Sequence, residues 1–196
     1  MTVWTIGHSN RTIEDFVDLL LRVEITAIAD VRSLPYSKYT PQFNGETLST
    51  CLSKARIHYV FLGNYLGARP SDLSVYVSRR VCFSSLVSTS FFHKGLDRVK
   101  IGATRFRLAL MCSEKDPIQC HRMALVGHEL KKQGVNLIHI LDDGIVESNA
   151  DAEMRLRHAM GINDIDLFRS QEELVEDAYT KLVQKIAFTS SEDSGN

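Results

Sequence analysis

Five short apolar runs, separated by longer segments whose apolar residues recur with helical spacing, constrain this chain more than any other feature of it. Runs this short, bounded by turn residues, read as strands, and the periodic segments between them as helices. Val3-Trp4-Thr5-Ile6 is the first run and ends at Gly7. Thr12 is then placed to cap a helix, with Asp15 three residues later, and Ile13, Phe16, Val17, Leu19, Leu20 and Val23 fall on one face. The second run, residues 26–31, is apolar almost throughout, as a strand covered on both faces must be. Residues 57–62, 106–112 and 135–141 make the third, fourth and fifth strands. Helices are expected over 46–55, 120–133, 150–160 and 171–188, with Gly134 as the stop of the second of these. The segment 71–102 reads as two helices broken near Ser88-Thr89-Ser90. Loops are expected at 33–42, 63–70 and 113–119, and a turn at Asp142-Asp143-Gly144. This alternation predicts an α/β fold: a mainly parallel five-stranded sheet with helices on both faces, in Rossmann-like or flavodoxin-like layering.

Length supports one domain over residues 1–189 followed by a flexible tail over 190–196. The formal net charge of -1 gives no global field to gather nucleic acid or an acidic membrane. Four cysteines, Cys51, Cys82, Cys112 and Cys120, form no C-x-x-C pair and no zinc-module spacing. The opening apolar run is too short for a secretory signal, so reduced thiols and a cytoplasmic location are expected. No stretch approaches the roughly 20 apolar residues of a membrane span. With no H-E-x-x-H motif and no Gly-rich phosphate loop, neither a tightly bound metal nor a cofactor is expected.

In sheets of this kind ligands bind beyond the carboxyl ends of the strands. Those ends are Gly7-His8-Ser9, Asp30-Val31-Arg32 and Cys112-Ser113-Glu114, with Cys120-His121-Arg122 at the helix start nearby. A helix N-terminus offers unpaired amides and a partial positive charge, which bind phosphate or carboxylate and favour a thiolate. Cys120, His121 and Glu114 are therefore the catalytic candidates, and Gly7, His8, Ser9, Asp30, Arg32 and Arg122 the substrate-binding ones. His121 would move protons and Arg122 clamp an anion. The alternatives are structural. Cys120 would be buried, His121 would cap the helix, and Arg122 would pair with an acid. Asp30 would only orient Arg32, Glu114 would partner an arginine, and Gly7 to Ser9 would form a turn. Cys112 reads as a small core residue more readily than as a resolving thiol for Cys120. Arg122 follows Cys120 too closely for a cysteine-phosphatase loop.

Tyr36, Ser37, Lys38, Tyr39 and Phe43 occupy a loop that could stack bases or cover a sheet edge. Arg79, Arg80, His93, Lys94, Arg98, Lys100, Arg105 and Arg107 make the middle of the chain basic, as a solvated face or a nucleic-acid contact. His58, His128, His139 and His158 have no ligand-like spacing.

Taken in order, Thr5 to Arg11, Asp30 to Pro35, Leu66-Gly67-Ala68-Arg69-Pro70, and Leu110 to Glu114 with Cys120-His121-Arg122 resemble the family called domain of unknown function 488. The resemblance spans residues 3 to 148, with Ala68 where family members usually show a second glycine. It implies an α/β fold and a shared site in which Ser9, Arg32, Glu114, Cys120, His121 and Arg122 lie together. It supplies no reaction.

The residues favour an enzyme, a hydrolase or transferase, acting on a phosphate-bearing substrate such as a nucleotide or nucleic acid. Cys120 or an activated water would attack. One alternative is a nucleic-acid-binding or base-repair module that accepts a flipped base. Another is a protein that binds a small anion without turnover. A small anionic substrate is the expected partner, nucleic acid the second choice, and no membrane is expected. Oligomeric state is not legible.

Overall fold

The computed structural model describes residues 1–141, 144–163 and 166–190. The expected turn at Asp142-Asp143 and the expected tail beyond Ser190 lie outside the described residues. Strand β1 (Thr2–Gly7) leads to helix α1 (Ile13–Arg22), where the Thr12 side chain accepts from the Asp15 amide and caps the first turn. Then come β2 (Ala27–Asp30), a 3-10 turn at Pro41–Phe43, α2 (Gly45–Lys54), β3 (His58–Phe61) and the short α3 (Gly63–Leu66). A two-stranded hairpin, β4 (Tyr76–Val77) and β5 (Arg80–Val81), precedes α4 (Phe83–Val87), α5 (Ser90–Ala103) and β6 (Leu108–Cys112). A 3-10 turn at Pro117–Gln119 and a π-helical turn at Arg122–Gly127 run into α6 (His128–Lys132). The chain continues as β7 (Asn136–Ile140), β8 (Val146–Ser148), α7 (Asn149–Ala159) and α8 (Gln171–Ile186).

The main sheet has the order β3-β2-β6-β1-β7-β8, parallel except that β8 runs antiparallel to β7. Successive side chains point to opposite faces, and each face has its own cover. Trp4, Ile6, Ile28, Ala109 and Met111 pack under α1 and α2, against Phe16, Leu19, Leu20, Leu48 and Leu52. Val3, Ala29, Leu108, Leu110 and Cys112 pack on the other face against Phe92, Leu96 and Val99 of α5 and Leu125 and Leu130. Each fully buried leucine or phenylalanine contributes about 1.5–3 kcal/mol. Helices α7 and α8 close a third cluster with Met123 and Ala124. Among the described residues no helix is long and apolar enough to cross a membrane.

The α/β class, the mainly parallel sheet and the two covered faces agree with the sequence reading, but among the described residues the sheet has six strands and not five. The added edge strand, Val-Glu-Ser, carries no apolar run because it is largely exposed. The hairpin at 76–81 and α3 fall where loops or helices are expected. The helix expected from Cys120 begins later. Cys120 itself is extended (φ -131°, ψ 143°), and a wide π-helical turn follows His121. Gly127 permits this turn, because a Cβ there would sit 2.9 Å from the Arg122 carbonyl oxygen. π-Helical turns within helices are frequent at functional sites.

Candidate functional site

The register of the sheet assembles the site. β6 lies between β2 and β1, with Asp30 opposite Met111 and Gly7 opposite Cys112, so three strand ends converge. Beyond Cys112 the chain folds across the end of β1. A Cβ on Gly7 would collide with the Glu114 carbonyl, so the close approach that this glycine allows is made by the protein's own backbone. The amides of His8 and Ser9 continue the ladder by donating to the carbonyls of Cys112 and Ser113, 2.9 and 3.0 Å away.

Arg32 is buried and almost saturated. Its Nε and Nη2 donate to the two oxygens of Asp30 at 2.9 and 2.6 Å, Nη2 donates also to the Phe43 carbonyl, and Nη1 donates to His8 Nε2 at 3.2 Å. Asp30, fully buried, accepts additionally from Tyr59 Oη at 2.8 Å. The His8 ring stacks on Phe43 with centroids 4.2 Å apart, and its Nδ1–H donates to the Ser9 carbonyl. Burial, together with the Arg32 charge, lowers the His8 pKa to about 4, so the ring is neutral and can accept from Arg32. Phe43, expected on a base-stacking loop, is the buried platform of this stack.

A second cluster adjoins the first. Glu114 Oε2 lies 3.0 Å from Cys112 Sγ and 2.8 Å from Cys120 Sγ, and His121 Nδ1 lies 3.5 and 3.9 Å from the same two sulfurs. His121 Nε2 donates to the Val31 carbonyl at 2.9 Å, which turns Nδ1 toward the sulfurs. The ligand-type atoms of Cys112, Glu114, Cys120 and His121 all lie within 4.8 Å of one another. Three acidic groups in one space cannot all ionise. Burial holds the Cys112 thiol well above the ordinary range, reinforced by the Cys120 charge. Burial would also raise Cys120, but the Cys112 hydrogen bond, the Arg122 guanidinium and His121 outweigh it and hold the thiol well down. Dehydration of its carboxyl and the Cys120 charge raise the Glu114 pKa, and its Oε2 accepts from Cys120 Sγ across 2.8 Å. Burial works against protonation of His121, but Cys120 and Glu114 outweigh it and raise the pKa.

Arg122 faces the protein's own backbone. It is 0% exposed, and it donates to the carbonyls of Glu114 at 2.6 Å and Lys115 at 3.0 Å. It thereby shapes the loop after β6 and places a positive charge under Cys120. Arg155 holds the same loop from outside, gripping Asp116 at 3.0 Å and Glu147 at 2.6 Å.

A cavity of about 180 Å³ opens beside the cluster, with Arg32, Arg69, Cys112, Glu114, Gln119 and His121 among its walls. Glu114 is solvent-accessible as a residue while its Oε2 turns inward onto the sulfurs. Thus the structure gathers Asp30, Arg32, Glu114, Cys120, His121 and Arg122, but only Arg32, Glu114 and His121 of these reach the cavity wall. Gly7, His8, Ser9 and Asp30 support it from behind; the Ser9 hydroxyl donates to Asn10 Oδ1. Sequence reasoning passed over Arg69, which stacks over Phe188 at 4.5 Å and binds the Ser33 hydroxyl through its amide. The motif Leu66 to Pro70 was the signal available for it.

These features define a class: an α/β protein whose parallel sheet carries a thiol, imidazole and carboxyl cluster beside a small cavity with guanidinium groups on its wall. The chain belongs to the family described as Domain of unknown function DUF488, whose model matches residues 12–128. That span takes in Asp30 to Arg32, Glu114 and Cys120 to Arg122 and starts after Gly7-His8-Ser9. No curated protein and no solved structure matches the chain.

Proposed function

We propose that this protein is an enzyme acting on a small phosphate-bearing substrate. The anion is held in the cavity by Arg69 with the charge of Arg32 behind it, and Glu114 carries the proton. One observation carries the reading: a carboxyl whose pKa is raised above the ordinary range belongs to a residue on the wall of a cavity that Arg32 and Arg69 also line. The cavity volume fits one phosphate group and its immediate substituent, since whole drug-sized ligands need about 300–1,000 Å³. Cys120 is 1% exposed and stands behind Glu114, which favours an attacking water over an attacking thiolate. The test is hydrolysis of p-nitrophenyl phosphate and a panel of small phosphate esters. Turnover should fall by about 10²–10⁴-fold in Glu114→Gln, the usual contribution of a positioned acid or base. No turnover on any ester, or turnover indifferent to Glu114→Gln, contradicts the proposal.

A second reading, nucleic-acid binding, draws on Tyr36 and Tyr39, exposed at 71% and 83% on the loop after β2. Rings so placed beside Lys38 can stack on unpaired bases. Lys100, Arg105 and Arg107 do not join them in one groove, because they precede β6 and so stand at the opposite end of the parallel strands. Binding of single-stranded oligonucleotides that weakens steeply with salt supports this reading, and absence of binding rejects it.

A further inference from the structure

We infer that Cys112, Cys120 and His121 bind a divalent ion of the zinc class, with the Glu114 carboxylate at the fourth, cavity-facing corner. A tetrahedral ion with bonds of about 2.0–2.3 Å to sulfur and nitrogen needs its ligand atoms roughly 3.3–3.8 Å apart. His121 Nδ1 stands 3.5 and 3.9 Å from the two sulfurs, close to that spacing, while Glu114 Oε2, at 3.0 and 2.8 Å from them, would draw back to it on ligation; all four ligand-type atoms fall within 4.8 Å. The ligands are held by different devices: Cys112 by the strand β6, Cys120 by the capped turn at Pro117–Gln119, and His121 by the Val31 carbonyl. That last bond is the one a metal-bound imidazole normally makes with its outer nitrogen, fixing the tautomer that leaves the other nitrogen free to ligate.

Charge points the same way. Two thiolates and a carboxylate around a divalent ion leave one negative charge. Arg122, buried beneath Cys120 with its hydrogen bonds on carbonyl oxygens, supplies the compensating positive one. Two thiolates and an imidazole select a borderline-soft transition ion and disfavour magnesium or calcium. Two cysteines and a histidine with one exchangeable oxygen position make a catalytic rather than a closed structural site. This departs from the expectation of no metal, which rests on linear spacing. Cys112 and Glu114 end a strand, Cys120 and His121 follow a polar loop, and the fold closes that loop back on itself.

The ion would deepen the proposed enzyme where Glu114 yields its corner: a water in that fourth position would be acidified and the displaced Glu114 carboxylate would stand ready to take its proton, and the inference rests on that reading only for this role. Protein stripped with chelator under reductant is titrated with cobalt(II). We expect one cobalt per chain, with thiolate-to-cobalt charge-transfer absorption, the intense visible bands of tetrahedral coordination, and bleaching by zinc. Cys112→Ser and Cys120→Ser should each weaken binding by at least about 100-fold, beyond the ~10–100-fold typical of losing an outer partner. Glu114→Gln should keep the sulfur band with a smaller loss, and Cys51→Ser and Cys82→Ser should change nothing. The wild-type spectrum needs no variant to fold. Absence of the charge-transfer band, unaltered binding in Cys112→Ser, or a Cys112–Cys120 disulfide forming in place of an ion site overturns the inference. Phosphate binding by chelator-treated protein is a separate readout, so the two proposals can fail independently.

Discussion

Arg32 illustrates how a side chain chosen for its charge can be mostly committed to its own fold. Four of its contacts go to Asp30, His8 and Phe43, so it acts chiefly as a buried ion pair with one edge on the cavity. Removing one partner leaves an uncompensated buried charge. Arg32→Ala should therefore cost about 3–5 kcal/mol, read as a lower urea midpoint. A midpoint equal to wild type would show that the pair is not buried in solution. At this scale the sequence made residue identities legible but not orientations. Cys120, His121, Glu114 and Arg32 stand out because charged or reactive groups end apolar runs. Nothing in the spacing says that Arg122 turns inward onto carbonyls, since a guanidinium can serve an anion or a backbone equally well. Arg69 was hidden because an exposed arginine after a glycine-rich turn resembles any solvated one.

At the scale of elements, periodicity located the strands and helices that bury a whole face, such as β2 and α1. It missed β4, β5 and β8, which have two or three residues each and no apolar alternation to detect. The start of the helix after Cys120 was misplaced because a π-helical turn keeps an apolar pattern close to that of an α-helix. Its wide turn depends on Gly127, where a Cβ would press on the Arg122 carbonyl at 2.9 Å and Leu137 at 3.2 Å. Gly127→Ala should lower stability by about 1–3 kcal/mol, the usual cost of forcing an extra carbon into packed structure. Because the turn sets Arg122, the substitution should also loosen the loop bearing Glu114, seen as faster amide exchange there. Unchanged melting and exchange would mean that the turn relaxes at no cost.

For the whole molecule, alternation of strand and helix fixed the α/β class, and the strand-end rule pointed to the end of the sheet where Cys112, Glu114, Cys120 and His121 gather. The strand order and the pairing of β6 between β1 and β2 were beyond it, because register depends on contacts far apart in sequence. That order buries His8 and His139. Burial lowers His8 to about 4, and burial likewise lowers His139, which accepts from Thr5 and donates to Asn149, to about 4. Both pKa values lie below the ordinary 6.5, so the unfolded chain takes up protons first. Their contribution is complete above pH 6.5, declines as the pH falls, and is gone by about pH 4. Each should change stability by up to about 1.4 kcal/mol per pH unit in that window. Urea midpoints across it should fall, and His139→Gln should flatten the slope; an equal slope in the variant would contradict the assignment. The central claim, that the cavity beside the thiol cluster binds a small phosphate-bearing group, is tested most directly by calorimetric titration of wild type and Arg69→Ala with inorganic phosphate. Saturable binding by wild type, weakened about tenfold or more in Arg69→Ala, is the predicted result, given the worth of a charge-assisted hydrogen bond. No binding by wild type, or equal binding by both proteins, would contradict it.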